Sequence, residues 1–569
     1  MLILQKLYSE PATFSEIFFR EGINLILGET NQTSEKTNGV GKSLCIEFLN
    51  FSLLKELSSS RLSLIPEAEF SRTIEVCLDF KIGEKSCTLR RSMAEHSTPS
   101  LTVNGISTKF QSLQDATQHM NSLVFGSASH VPSFRTLLGP LLRDERSEFK
   151  SIIDCFDTKL NIPSDYTPHL YLLGIAPEPY IKAKFLQAEI DGLAKARSKL
   201  RKDIETFTGR TLSDAKADLN DLSAQVSKIK SAIDQLEQAE SFELVKDELI
   251  DLERRITEEQ VRLSVDKQEL SKINLFKGDN YIDENEVAEL YSRFKLGLGD
   301  LIMRELKEVM KFKQSIDQFQ ATLLHARRDT LSERISASKK KLKILDARYK
   351  EKLQVVDHDG ALKSLKTTIA TYQSKLEEYS RLNALVTKHD EYAKTIKSLK
   401  QDRLAQITDL EVMIKEAEPV IHGFQQEILA VHEYVMGNRK CFFEINVSDK
   451  KQVVSYELRI FDDGSHSNER EKTFFYDMSM LLSKASEEFH PGFLVHDNIF
   501  DVDQDTLIRS LNYLAENEER LSNRQYILTL NSDKLHADEI DRLKLDIDLC
   551  RVASFTKDNR FLKRHYQEI

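Results

Sequence analysis

Near the start of the chain, Asn38-Gly39-Val40-Gly41-Lys42-Ser43 follows the strand-like run Asn24-Leu25-Ile26-Leu27-Gly28 and leads into an apolar helical stretch through Phe48 and Leu53. Residue types in this order suit a polyphosphate. Glycines let backbone N–H groups wrap phosphate oxygens, a lysine reaches the outer phosphates, and a hydroxyl directly after it can ligate Mg²⁺. The helix that follows turns its positive dipole end toward the anion. A strict GxxxxGK[ST] spacing would place its first glycine at position 36, which is Lys36. Gly28 is the stand-in, and Glu29 to Thr37 reads as an insertion that contacts the base or a partner, or is inert. The second half of such a site is an apolar strand ending in an Asp that holds Mg²⁺, and Phe493-Leu494-Val495-His496-Asp497 has that form. ATP and Mg²⁺ are therefore the expected ligands. Gly28, Asn38, Gly39, Gly41, Lys42 and Ser43 are the nucleotide-binding candidates, and Ser43 and Asp497 the metal ligands.

These two motifs lie at opposite ends of 569 residues, so the elements between them must bring them together. The composition, 30% charged and 40% hydrophobic, excludes a disordered polymer. No run of about 18 uncharged apolar residues is present to cross a bilayer. A net charge of -11 means that any polyanion site is a local patch. Six scattered cysteines without a CxxC pair read as reduced thiols, and MLILQKLYSE lacks the pattern of a signal peptide. The expected location is cytoplasmic, with no membrane partner.

The 11 prolines divide the chain, because nine lie at or before Pro179 and only Pro419 and Pro491 follow. In the proline-free stretch, Leu219, Leu222, Val226, Ile229, Ile233 and Leu236 step by three and four. So do Leu362, Leu365, Ile369, Tyr372, Leu376 and Tyr379. This period marks a coiled coil. Leu249, Leu252 and Ile256 restart it out of register, placing a discontinuity near Ala239 to Val245, and Glu259 and Asp266 lie in the seam. Glycines at 278, 297 and 299 place the apex of an antiparallel hairpin near the middle, with a rival turn at Asp357-His358-Asp359-Gly360. The domain reading is an N-terminal lobe 1–179, an outgoing arm 180–275, an apex 276–330, a return arm 331–436 and a C-terminal lobe 437–569. In the lobes, Cys87–Arg91 and Leu101–Val103 read as a hairpin with an Asn104-Gly105 turn. Cys441–Val447 and Val453–Phe461 read as paired strands, and Ser479–Glu488 and Asp505–Glu518 as helices.

A split nucleotide motif with a long coiled-coil hairpin between its halves resembles the SMC-like branch of ABC ATPases. Pro491-Gly492-Phe493-Leu494-Val495-His496-Asp497 and Tyr526-Ile527-Leu528-Thr529-Leu530-Asn531-Ser532-Asp533 are its most specific strings, with Ser133-Phe134-Arg135-Thr136-Leu137-Leu138 a weaker one. They look most like the compact bacterial ATPases of three-component, Lamassu-type antiphage clusters. The resemblance implies an α/β, ABC-type P-loop head built from N- and C-terminal halves, and a homodimer whose heads sandwich two ATP molecules. It implies a signature serine, here Ser465 or Ser467 in Asp463-Gly464-Ser465-His466-Ser467-Asn468-Glu469-Arg470, which lacks the usual double glycine. Asp501 and Asp503 follow the magnesium Asp, and Asp503 stands where an Asp communicates between heads. Asn498 replaces the glutamate that ordinarily positions water, and Asn531 replaces a switch histidine. Neither can act as a base near neutral pH, so slow hydrolysis or an ATP-timed clamp is expected. DNA backbone is the implied polyanion, with Lys339, Lys340, Lys341 and Lys343 on the return arm as contacts. Arg143 and Arg146, and Arg551, Arg560, Lys563 and Arg564, are the candidates on the head. A nuclease-like effector and a small accessory protein are implied as separate subunits. No cysteine lies between Cys155 and Cys441, so no zinc hook is expected. The alternatives are a chromosome-maintenance or repair ATPase, and a scaffold that only organises partners.

Overall fold

The computed structural model describes residues 1–30, 39–126, 131–159, 162–237, 246–275, 299–354, 361–460, 466–535 and 542–564. Two compact units result: a head, Met1–Ala188 with Gln401–Ile569, and a second unit, Glu189–Lys400.

The head strands are β1 (Leu2–Glu10), β2 (Ile17–Phe18), β3 (Gly22–Gly28), β4 (Glu75–Ile82), β5 (Lys85–Ser92), β6 (Ser100–Val103) and β7 (Ile106–Lys109), then β8 (Leu142–Arg143), β9 (Phe442–Val447), β10 (Val454–Arg459), β11 (Phe493–Asp497), β12 (Gln525–Asn531) and β13 (Arg551–Phe555). Every residue of β3, β11 and β12 is buried. Continuous apolar runs of this kind belong inside a parallel sheet covered on both faces. They form one, in the order β13-β3-β12-β11-β8 with each neighbouring pair parallel. The sheet interleaves the two ends of the chain, since β3 and β8 come from the N-terminal part and β11, β12 and β13 from the C-terminal part.

A second sheet, β2-β1-β4-β5-β6-β7, is antiparallel throughout. The expected pairing of Cys87–Arg91 with Leu101–Val103 is the β5–β6 ladder. Asn104 and Gly105, at φ 48° and 86°, instead turn β6 into β7, as a two-residue hairpin with both φ positive requires. Gln525 ties the two sheets together: its amide accepts from the Leu4 N–H at 2.7 Å and donates to the Leu4 carbonyl at 2.8 Å. β9 and β10 form a separate antiparallel pair, as read from their alternation.

The helix expected over Ser479–Glu488 instead spans His466–Leu482. Its polar first turn disguised its start, while Phe474, Phe475, Tyr476, Met478 and Met480 are buried around it. Arg143 corrects the expected DNA patch on the head. It is fully buried, and its guanidinium holds Asp477 of this helix with Nε–Oδ2 at 2.5 Å and Nη2–Oδ1 at 3.0 Å. His496 Nε2 also meets Asp477 Oδ2 at 3.0 Å, so one carboxylate joins the helix to β8 and β11. Arg146 is engaged as well, by Asp144 and Glu47.

In the second unit, Lys246–Leu275 packs on Gly299–Gln354 with antiparallel pairing. Glu259 meets Lys341, Asp266 meets Arg334 and Glu269 meets Arg327, so partners converge on the segment between the two helices. Of the expected apex, 276–298 lie outside the described residues, and Gly299–Gln354 is helical from its start. The rival turn at 357–360 also lies outside them. The discontinuity expected near Ala239 to Val245 lies outside them too. Two apolar clusters follow the heptads: Ile233, Ile256, Leu342, Leu345 and Tyr349, and then Ile204, Leu222, Leu382 and Val386. Glu259 tolerates its buried seam position because Ser338 Oγ donates to it at 2.8 Å and Lys341 Nζ at 2.8 Å. The end of the expected return arm belongs to the head instead, where Glu418–Met436 buries Phe424, Ile428, Val431 and Val435.

Removing Asp477 leaves Arg143 charged and unpaired in the core. Asp477→Ala should destabilise the head by about 3–5 kcal/mol, read as a lower denaturant midpoint at constant m-value.

Candidate functional site

Parallel pairing delivers all carboxyl-terminal strand ends to one edge of the sheet, where α/β ligand sites form. Asn531 lies opposite Gly28, Asp497 opposite Thr529, and Arg143 opposite His496. Beyond β3, Gly39 and Gly41 have φ of 71° and 109°, and Gly41 starts the helix Lys42–Ser52. A Cβ on Gly41 would stand 2.7 Å from the Phe561 Cβ, so a chain segment from the far C-terminus presses on this loop. Phe561 N donates to the Val40 carbonyl at 3.2 Å and Arg560 Nη1 to the Gly39 carbonyl at 3.1 Å.

Lys42 and Asn531, residues from opposite ends of the chain, are hydrogen-bonded through Nζ and Oδ1. Ser43 Oγ donates to Asp497 Oδ1 at 3.1 Å, and Thr529 Oγ1 donates to the same oxygen at 2.7 Å. Burial lowers the Lys42 pKa from its usual value, while Asp497, Asp533 and Glu145 pull it back up. Burial pushes Asp497 up to about 6; the two hydroxyls oppose the shift, and Glu145 and Asp144 add to it. A buried carboxylate beside a serine hydroxyl is a hard-oxygen pair that a divalent cation would relieve. Ser43 and Asp497 therefore fit Mg²⁺, which would neutralise phosphate charge between them.

The other expected residues take varied places. Asn498 follows β11 in the left-handed region, at φ 62°. Its N–H donates to Thr529 Oγ1 at 3.0 Å and its carbonyl accepts from Arg470 Nη1 at 2.8 Å. Asp501 is exposed and accepts from Lys534 Nζ at 3.2 Å. Asp503 caps the helix Gln504–Glu516, taking the Thr506 N–H at 3.0 Å and its hydroxyl at 2.7 Å. Asn38 and Ser465 lie outside the described residues, and Ser467 falls in the first turn of the helix His466–Leu482.

Lys42, Ser43, Asn498, Asn531, Glu145 and Arg560 line one open polar cavity of about 640 Å³. Arg61, Lys534 and Arg564 add cationic lining. Arg560 and Arg564, expected in a DNA patch, instead line this cavity beside the Gly39–Gly41 loop, and neither has a carboxylate partner among the described residues. Arg551 pairs with Glu29 and Asp548. Glu145 and the Phe561 segment were missed because no motif marks them. In the second unit, Lys339, Lys340 and Lys343 are exposed, and Lys341 is held by Glu259.

Residues 425–566 match a family described as "Uncharacterised protein conserved in bacteria (DUF2326)". Over 562 residues the chain is 21% identical to "Uncharacterized protein YydD" of Bacillus subtilis (strain 168), covering 92% of each. Among solved structures, the Smc head domain with a coiled coil and joint from Pyrococcus yayanosii is 13% identical, with a TM-score of 0.35 and coverage of 96% of this chain and 94% of that one. The Pyrococcus furiosus Smc head with an extended coiled coil, bound to the C-terminal domain of ScpA, is 10% identical, with a TM-score of 0.31 and coverage of 95% and 92%.

Two outcomes follow from this geometry. Gly41→Ala forces Phe561 to move and should lower thermal stability, read as a lower melting temperature. The folded Asp497 pKa lies above its unfolded value, so the native state holds the extra proton and stability falls as pH rises from about 4 to about 6. Above that window the buried charge costs about 2–3 kcal/mol. Asp497→Asn should therefore stabilise the metal-free protein at pH 8, and by less at pH 5, in chemical denaturation.

Proposed function

We propose that this chain is an SMC-like, ATP-binding subunit that hydrolyses ATP slowly and closes its head against a second copy when ATP is bound. It serves as the DNA sensor of a bacterial antiviral complex and controls a separate nuclease-like effector with a small accessory subunit. The observation that carries the nucleotide reading is the pair of contacts Lys42–Asn531 and Ser43–Asp497, which join phosphate-binding and metal-binding groups from the two ends of the chain.

The chain's own residues divide the work. Gly39 and Gly41 give the loop its backbone conformation, Lys42 takes phosphate charge, and Ser43 and Asp497 hold Mg²⁺. Asn531 holds the Lys42 ammonium and can donate its amide N–H to a terminal phosphate. Asn498, directly after Asp497, cannot take a proton from water, so turnover lacks the base usual at that position and is slow. DNA contact through Lys339, Lys340 and Lys343 is electrostatic and without base readout. The antiviral and effector parts draw on the resemblance of the motif strings to Lamassu-type ATPases.

Titration of a fluorescent ATP analogue with Mg²⁺ tests the core of this reading. Lys42→Ala should weaken binding about 10- to 100-fold, the loss of a charged hydrogen bond to phosphate. Undiminished binding would overturn the ATP site. ATP-dependent dimerisation, measured by sedimentation, tests head closure. Replacing Lys339, Lys340 and Lys343 by Glu should weaken linear-DNA binding and reduce its salt slope by about 3. Full DNA binding and phage protection with Lys42→Ala would favour a scaffold.

A further inference from the structure

Hydrolysis at a phosphorus centre benefits from a carboxylate facing the attacking water, and Asn498 offers none. The sheet brings one from a neighbouring strand. β8 pairs in parallel with β11, so the chain leaving β8 emerges at the same edge as the chain leaving β11. Two residues beyond Arg143, Glu145 opens the short turn Glu145–Ser147. Its position is held from both sides. Arg143 is fixed by Asp477, and by the Ile152 carbonyl at 2.5 Å, while Asp144 accepts from the Arg146 N–H at 3.1 Å.

Glu145 lines the cavity with Lys42, Ser43, Asn498 and Asn531, and Asn498 Nδ2 donates to Glu145 Oε1 at 3.5 Å. Asn498 itself is fixed by its backbone bonds to Thr529 and Arg470. The other end of its amide, Oδ1, is buried without a hydrogen-bond partner among the described residues. Neighbouring Asp144 is committed to Arg146 and Lys55, whereas no cation forms an ion pair with Glu145 among the described residues.

We propose that Glu145 is the carboxylate that orients and deprotonates the water attacking the terminal phosphate of ATP, with Asn498 as its positioning residue. The inference rests on the ATP-site reading above. In the step, the water oxygen bonds to the γ-phosphorus as its proton passes to Glu145. The bond from that phosphorus to the bridging oxygen breaks, and its electron pair leaves with ADP. Glu145 then returns the proton to solvent. A base supplied by the N-terminal part thus replaces the glutamate absent after Asp497.

The test compares full-length wild type, Glu145→Gln, Glu145→Asp and Asn498→Ala in single-turnover ATP hydrolysis and in Mg²⁺-dependent binding of a fluorescent ATP analogue. Glu145→Gln should keep its affinity within about threefold and lose hydrolysis about 100-fold or more, the usual contribution of a general base. Glu145→Asp should recover part of the rate, and Asn498→Ala should lose rate at unchanged affinity. Wild-type hydrolysis by Glu145→Gln overturns the proposal, as does a wild type that binds ATP without turning it over. Loss of both binding and melting temperature in Glu145→Gln also overturns it, by assigning the residue a structural role. Failure of the ATP site itself is separate: wild type and Lys42→Ala would then bind the analogue equally.

Discussion

Strand β12, made late in the chain, lies between β3 from the start of the chain and β11, with hydrogen-bonded registers on both sides. Its seven residues are all buried, and Gln525 at its beginning also grips β1. Without this strand, β3 would have β13 as its sole neighbour, and Lys42 would have no Asn531 to meet. The proposed nucleotide site is therefore a product of strand register. Sliding β12 by one residue would turn its side chains to the opposite faces and remove both Thr529 and Asn531 from the edge.

The charges at that edge are arranged around a deficit. Asp497 is buried, its carboxyl is pushed upward by burial, and Glu145 and Asp144 increase the local negative potential. Lys42 stands opposite with its ammonium disfavoured by the same burial. Such a site is costly when empty and gains from a ligand that carries both a cation and phosphate oxygens. The electrostatics thus agree with the donor types that the proposed ligand needs: hard oxygens for a metal and N–H groups for phosphates.

Much of this was legible in the sequence because its signals are local. The glycines, Lys42 and Ser43 are contiguous, strands such as Phe493–Asp497 announce burial by composition, and heptads announce a coil. What escaped depends on tertiary neighbours. Arg143 looks like any surface cation until Asp477, far along the chain, neutralises it in the core. Arg560 read as part of a DNA patch because nothing nearby reveals that it lies against Gly39. Asp503, expected to communicate between heads, also caps the helix Gln504–Glu516, a role set by its place directly before that helix. Glu145 carries no motif, and its interest comes wholly from the strand beside it.

The interleaving of the head also constrains its biosynthesis. β3 is apolar and finds its inner neighbour only after β12 has been made. At about 5–20 residues per second, some 25 to 100 s of translation separate Gly28 from Gln525. During that interval β3 lacks the strand that pairs with its inner edge. Phe561, which lies against the Gly41 loop, is made later still. A product cut before Phe561 would carry the recognisable Lys42 motif and still lack the segment that packs against the Gly41 loop.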